Sequence, residues 1–450
     1  MHGDARFPQG APFSTDLYEL TMLQAYLDEG LQEMAVFELF VRKLPAKRNF
    51  LVAAGLESVL QFLETLRFGP DALEWLAATG RFKASLIDYL AEFRFSGDVH
   101  ALPEGCVFFP DEPIVRITAP LPMAQLVETQ VMNRLHYQSL VASKAARIVL
   151  AAQGAQLVDF GLRRAHGEDA GLAGARAAFL AGFAGSSNVA AERLFGIPAF
   201  GTMAHSFIQA HDDEAAAFRS FAAAQPERCV LLIDTYDTEA AARKVAALAQ
   251  TLAATGTAIR SVRIDSGDLA AHARNVRAIL DEAGCPDIGV FASGNLDEYE
   301  IERLLAGGAP IRGFGVGTRL LTSADAPYLD CAYKLEEYGG RPRRKRSEGK
   351  ATWPGRKQVY RHVDGGRMDH DCVTLDGDVR AGRPLLEPCM QAGRRVGPAP
   401  TLAESRALAA RELAMLPDHL RGLGEGAVPY RVEISPALAD LAAAFDRRNA

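Results

Sequence analysis

The stretch CVLLIDTYDTEAAARKVAALAQTLAATGTAIRSVRIDSGD, residues 229–268, decides how this chain is read. An apolar, β-branched run ends in Asp234, and a segment over 238–254 follows with apolar residues at helical spacing and charges on its other face. A second apolar run then ends in Asp265. Strand, amphipathic helix, strand is the pattern of one β/α unit.

The same rhythm extends in both directions. QLVDFG ends at Asp159, AGSSN at Ser186, IPAFGT at Thr202, IGVFASGN at Ser293 and IRGFGVGT at Thr318. With Asp234 and Asp265 these make seven run ends, spaced 16 to 32 residues apart, mostly the length of one strand plus one helix. LAAHARNVRAILDEAG (269–284) is a second clear helix, closed by Gly284. Seven units predict a parallel β/α barrel, whose functional groups gather where the strands end.

The flanks read differently. TDLYELTMLQAYLDEG (15–30) is an amphipathic helix ending on Gly30, MAVFELFVRKLP a strand, and LVAAGLESVLQFLETLRF and ALEWLAATGRF are helical. FSGDVHALPEGCVFFPDEPIVRITAP has the texture of a small antiparallel sheet, which KQVYRHV and HDCVTL resume after 335. Residues 400–425 predict a late helix, followed by an extended piece and a short helix. The expected organisation is an N-terminal α+β domain over 1–135, the α/β barrel over 136–335, and C-terminal segments over 336–450 that pack back on the N-terminal domain.

Bulk properties bound the function. The 450 residues are 48% hydrophobic and 23% charged, with a net charge of −7. That is an ordinary globular balance, and the negative charge argues against a general nucleic-acid binder. No apolar run approaches the roughly 20 residues that span a bilayer. The opening MHGDARFPQGAPF lacks the basic-then-apolar order of a secretory signal. The six cysteines are far apart and form no CxxC pair, which fits small buried hydrophobes in a reducing cytosol.

The strand ends carry the chemistry. Asp234 and Asp265 stand at the edges of neighbouring apolar runs, where carboxylates can hold a ribose diol or magnesium bound to phosphates. Asp237 and Asp268, a few residues on, read better as helix caps. ASGN (292–295) and GVGT (315–318) are small-residue loops whose backbone N–H groups can approach a phosphate. Arg263 precedes Asp265 by two residues on the same strand face, so it pairs either with a ligand anion or with Asp265 or Asp234. Arg163 and Arg164 follow another strand, one suited to a ligand and the other to an acid. His205, one of ten histidines, follows IPAFGT and should share this rim. The basic run RPRRKR (341–346) reads as a solvated loop.

In combination, TDLYELTM, DFGLRRAHG, GTMAHS, LIDTYDT, RIDSGDL, ASGN, GVGT and SEGKATWPGRKQVYR, in this order, resemble nicotinate phosphoribosyltransferases from about residue 12 to 417. The resemblance implies a type II phosphoribosyltransferase-like irregular barrel beside a sandwich-like N-terminal domain, in a cytoplasmic homodimer with shared active sites. It implies condensation of nicotinate with 5-phosphoribosyl 1-pyrophosphate to nicotinate mononucleotide and pyrophosphate, in NAD biosynthesis. ATP hydrolysis is coupled through a phosphohistidine at His205, and Mg2+ accompanies the phosphates. Carried over by residue, Tyr18 covers the pyridine ring, Thr202 contacts nicotinate and Arg263 pairs with its carboxylate. Gly317 and Thr318 hold a phosphate, with Ser293, Gly294 and Asn295 helping. Asp234 orients His205, Asp265 contacts ribose or Mg2+, and Arg163 sits near the phosphates or the carboxylate.

Two rivals share this chemistry. Arg263 favours a carboxylate over a neutral amide without excluding nicotinamide, whereas quinolinate, with two carboxylates, demands a denser cationic pocket. A non-catalytic pyridine-nucleotide-binding protein is disfavoured by the intact His205 and Asp265, and no strand-end lysine offers the Schiff base of an aldolase.

Overall fold

A computed structural model describes residues 12–253, 257–424 and 428–448. The opening residues 1–11, on which the signal-free reading rests, lie outside the described residues. The chain divides into two compact units, one from the segments up to Leu140 and from Tyr328 onward, the other Val141–Pro327. The change therefore falls at 140 and 328 rather than at 135 and 335. The strand Cys331–Tyr338 lies with the N-terminal sheet because it pairs antiparallel with Met34–Val41 along its length.

In the first unit a seven-stranded sheet interleaves both ends of the chain. Its order is Arg341–Pro342, Cys331–Tyr338, Met34–Val41, Pro113–Pro120, Asp98–Ala101, Glu387–Gln391, Arg394–Arg395. The helix Leu17–Glu29 ends on Gly30 at φ 69°, a left-handed residue that releases the chain from the helix. From Ala35 to Val41 every residue is buried, including Glu38, whose carboxylate meets Lys357 Nζ at 2.9 Å. A four-stranded sheet holds Lys357–Asp364, Arg367–Leu375 and Arg431–Ile434, with Arg383–Pro384 at its edge. The predicted late helix is Leu402–Met415, opened by a Thr401–Glu404 capping box, and the chain closes with Pro436–Arg448.

The second unit is the β/α series. Six parallel strands stand in the order Gly185–Ser186, Gln156–Asp159, Gly313–Val316, Gly289–Ser293, Ile259–Ile264, Cys229–Leu232. The last strand in sequence pairs with the first, Gly313–Val316 on Gln156–Asp159, which is the pairing that curls such a sheet toward a barrel. The seventh run end, IPAFGT, makes a single parallel bridge, Ala199 to Ser186. Pro198 cannot donate to a ladder, which limits this segment to one bridge. Among the described residues no ladder joins Ala199 to Cys229–Leu232, so the barrel is irregular and unlaced there.

The helices pack as their periodicity predicts. Thr238–Ala253 buries Ala241, Ala242, Val245 and Leu248, and Leu269–Glu282 buries Ala273, Val276 and Leu280. Asp268 caps its helix through Ala270 and Ala271 N–H, and Asp237 accepts from Ala240 N at 2.7 Å, so both are caps as expected. Among the described residues the six cysteines are free, two of them fully buried.

Candidate functional site

Because the strands are parallel, their carboxyl ends open on one edge, and there the predicted residues meet around a cavity of about 640 Å³. Arg163, Thr202, His205, Arg263, Asp265, Ser293, Gly294, Asn295, Gly317 and Thr318 all line it. Asp234 does not line it but is hydrogen-bonded to the backbone of Asp265, which does.

Arg263 projects from the Ile259–Ile264 strand and donates from Nη1 to Thr202 Oγ1 at 2.8 Å. Thr202 in turn donates to Met203 O. The guanidinium lies 5.9 Å from the centre of the Phe160 ring, at cation–π distance. Among the described residues it makes no ion pair with Asp265 or Asp234, and its Nε is buried without a hydrogen-bond partner. Burial lowers its pKa, partly offset by Asp265 and Asp234 and reinforced by Arg163. Such a cation gains most from an anion that enters the cavity.

Arg163 and Arg164 occupy a short 3-10 turn, Leu162–Arg164, and both are exposed at the rim. The expected pairing of one of them with an acid does not occur among the described residues. The acid of this loop, Asp159, is fully buried and spent on Gly161 N (2.8 Å) and Ser186 Oγ (2.6 Å).

Burial pushes the Asp159 carboxyl up to about 6, against the two hydrogen bonds that favour its ionised form. A raised folded value means that this group's stabilisation is complete below its ordinary value of 3.8 and is lost as pH rises through about 6. Asp159→Asn removes that titration. Its stability relative to wild type should therefore improve by up to roughly 3 kcal/mol between about pH 4 and about pH 7. Denaturant midpoints at the two pH values check this, and parallel pH curves would show that Asp159 does not titrate there.

The carboxylates form a second cluster. Asp234 Oδ2 accepts from Asp265 N at 3.0 Å and Ser266 Oγ at 2.5 Å, while its Oδ1 is buried with no hydrogen bond. Ser293 Oγ donates to Asp265 Oδ1. Asp234 thus holds the Asp265 turn rather than His205. The imidazole Nδ1 of His205 instead lies 3.1 Å from Thr235 Oγ1, because Thr235 is the residue of this turn whose hydroxyl reaches the first turn of the helix His205–Gln209.

The small-residue loops approach their neighbours closely. A Cβ on Gly294, at φ +96°, would lie 2.0 Å from Asp265 O, so only glycine lets this loop pass the Asp265 turn. The helix N-termini after these loops add little for an anion. The helix Glu298–Ala306 after ASGN is already capped by Asp297 and starts with buried Glu298, and the helix after GVGT is the single turn Thr318–Leu321.

A second cavity of about 560 Å³ shares Asp265, Gly294 and Asn295 with the first and is bordered by Asp268, Arg303 and Arg319. Arg303 pairs with Glu300 and Arg319 with Asp297, so these cations are internally balanced. Tyr18 belongs to the other unit, on the helix Leu17–Glu29, and is 43% exposed. Burial and the carboxylates of Glu128 and Glu19 raise the pKa of its phenol.

Sequence reasoning passed over Phe160 and Thr235. Phe160 directly follows the strand-ending Asp159, and an aromatic just beyond a strand end points to the rim, although it reads equally as core. Thr235 stood between two more conspicuous aspartates.

Three models of one family tile the chain. The nicotinate phosphoribosyltransferase N-terminal domain matches residues 13–136, the nicotinate phosphoribosyltransferase family model 155–339, and the C-terminal domain 378–442. A nicotinate phosphoribosyltransferase of Mycobacterium tuberculosis is 50% identical over 427 residues, 95% of this chain and 92% of its own. That of Bacillus subtilis is 42% identical over 357 residues, 78% of this chain and 73% of its own. The crystal structure of human nicotinic acid phosphoribosyltransferase matches with a TM-score of 0.86 at 30% identity, covering 96% of this chain and 99% of that one. Nicotinate-nucleotide pyrophosphorylase from Pyrococcus furiosus follows at 0.75 and 26% identity, covering 92% and 99%. The strand-end motifs, the parallel sheet that presents them and this likeness along nearly the whole chain agree: the chain belongs to the nicotinate phosphoribosyltransferase family, enzymes of NAD biosynthesis.

Proposed function

We propose that the cavity binds the carboxylate of nicotinate at Arg263 and Thr202, with the ring against Phe160, and joins it to 5-phosphoribosyl 1-pyrophosphate. The observation that carries this reading is Arg263, a half-buried cation at the cavity wall with no internal ion pair among the described residues. The pyridine nitrogen is already a nucleophile, so the protein's task is alignment. Its lone pair forms the bond to the ribose C1 carbon as the bond from that carbon to pyrophosphate breaks. Asp265, held by Ser293, faces the positive charge that develops on the sugar. The backbone of Gly294, Asn295, Gly317 and Thr318 receives the 5′-phosphate, and Arg163 the remaining anionic groups.

Among the described residues no group of three His, Cys, Asp or Glu side chains is arranged to hold a metal ion. That suits magnesium that arrives with the phosphates and keeps most of its ligands from them and from water. Asp265 and the unpartnered Oδ1 of Asp234 would hold it, and it would neutralise charge on the leaving pyrophosphate. ATP is the proposed co-substrate, with His205 transiently phosphorylated. His205 lines the cavity, and among the described residues its Nε2 takes no hydrogen bond. A homodimer with shared active sites in the cytoplasm completes the proposal. Among the described residues no helix is long and apolar enough to cross a membrane.

The test gives wild type and Arg263→Ala each of nicotinate, nicotinamide and quinolinate, with 5-phosphoribosyl 1-pyrophosphate, magnesium and ATP. Wild type should turn over nicotinate best. The variant should raise KM for nicotinate about 10- to 150-fold, the worth of a charge-assisted pair of roughly 1.5–3 kcal/mol. Equal use of nicotinamide, or an unchanged KM, would overturn the carboxylate assignment.

A further inference from the structure

We infer that Thr235 is the positioning residue for the phosphohistidine step, holding Nδ1 of His205 so that Nε2 is the nitrogen that reacts. The inference rests on the phosphohistidine reading above and extends it to a residue that reading does not use.

Thr235 sits in a turn fixed at both ends. On one side Ile233 N donates to Arg263 O at 3.1 Å, and Asp234 Oδ2 takes Asp265 N and Ser266 Oγ. On the other, Asp237 caps the helix Thr238–Ala253 through Ala240 N. The hydroxyl is therefore presented from a rigid frame, 3.1 Å from Nδ1. His205 is held in its own right at the start of a helical turn, with Phe207 N donating to Ala204 O at 3.0 Å.

The chemistry of the partner matters. A carboxylate at Nδ1 would stabilise the imidazolium and draw a proton onto the ring. In the proposed tautomer Nδ1–H donates to the Thr235 hydroxyl, a neutral hydrogen bond that keeps the lone pair on Nε2 without charging the ring beforehand. That lone pair attacks the γ-phosphorus of ATP. The N–P bond forms, the bond to the β,γ-bridging oxygen breaks, and its electron pair leaves with ADP. The proton remains on Nδ1 toward Thr235 Oγ1, and the ring now carries a positive charge beside the phosphoryl group. Hydrolysis reverses this. Water oxygen bonds to phosphorus, the N–P pair returns to Nε2, and phosphate leaves with the protons of water. With a hydroxyl rather than a carboxylate at Nδ1, the charged phosphoimidazole is poorly stabilised, which suits an intermediate that must turn over.

The experiment follows label from [γ-32P]ATP into full-length wild type, Thr235→Val and Thr235→Ser in rapid-quench format, with thermal unfolding as a check on fold. Valine should slow phosphorylation by about tenfold, the loss of one neutral hydrogen bond that orients the ring, and serine should restore it to within about twofold. KM for nicotinate should stay within about twofold in both, and the label should sit on Nε2. Valine phosphorylating at the wild-type rate, or label on Nδ1, overturns the role of Thr235 while leaving the phosphohistidine standing. Absence of label from wild type itself overturns the parent reading.

Discussion

Replacing His205 by alanine is expected to abolish transfer of phosphate from ATP to the protein and the ATP hydrolysis that accompanies synthesis, while leaving a folded enzyme. The fold should persist because His205 is half-exposed and, among the described residues, its side chain makes a single hydrogen bond, to Thr235. Losing it costs about 0.5–1.5 kcal/mol. Synthesis from nicotinate should continue at a reduced level, since Arg263, Thr202 and Asp265, the residues proposed to align the reactants, remain. The measurement pairs label incorporation with nicotinate mononucleotide formation in the presence and absence of ATP. Labelled phosphate that still appears on the variant would show that the phosphorylated residue lies elsewhere.

A second substitution should act on stability instead. Glu298→Ala removes a fully buried carboxylate that meets Lys144 Nζ at 2.6 Å and Arg147 Nε at 3.1 Å, both cations being at most 2% exposed. Lys144 keeps Asp325 at 2.8 Å, and Arg147 keeps the hydroxyl of Tyr299 at 3.0 Å. The cluster loses a carboxylate shared by two buried cations, and removing one partner of a buried ion pair costs about 3–5 kcal/mol. In a unit of this size that lowers Tm by on the order of 6–20 °C. Glu298→Gln should lose less, because an amide fills the space and accepts one hydrogen bond. A Tm within about 2 °C of wild type for the alanine variant would mean that the cations find other neutralisation. Glu298 opens the helix behind the Ser293–Asn295 loop, so activity should fall together with stability.

Periodicity made the helices and strand ends legible, because burying one face of a repeating segment imposes the same pattern on sequence and structure alike. Leu269–Glu282 and the capping roles of Asp237 and Asp268 follow from local chemistry alone. What stayed hidden depended on partners distant in sequence. Nothing around IPAFGT says that it would make one bridge instead of a ladder until Pro198 is set against its neighbour Ser186. Asp234 and Thr235 are adjacent, and which of them faces His205 depends on how their turn is pinned by Ser266 and the backbone of Asp265. The cap that Asp297 provides was equally invisible from the glycine loop before it. Phe160 shows the converse, a residue inside a quoted motif whose ring could have belonged to core or rim.

The unlaced seam beside Ala199 has a mechanical consequence. Among the described residues, 199–205 form a strap joined to the sheet backbone by the one bridge at Ala199, and that strap carries both Thr202 and His205. Beyond that bridge, no strand pairing among the described residues holds the strap in register. A phosphoryl group on His205 adds about two negative charges three residues from the hydroxyl that steadies Arg263. A displacement at the histidine end of the strap would be felt at Thr202, the residue that the proposed function places against nicotinate.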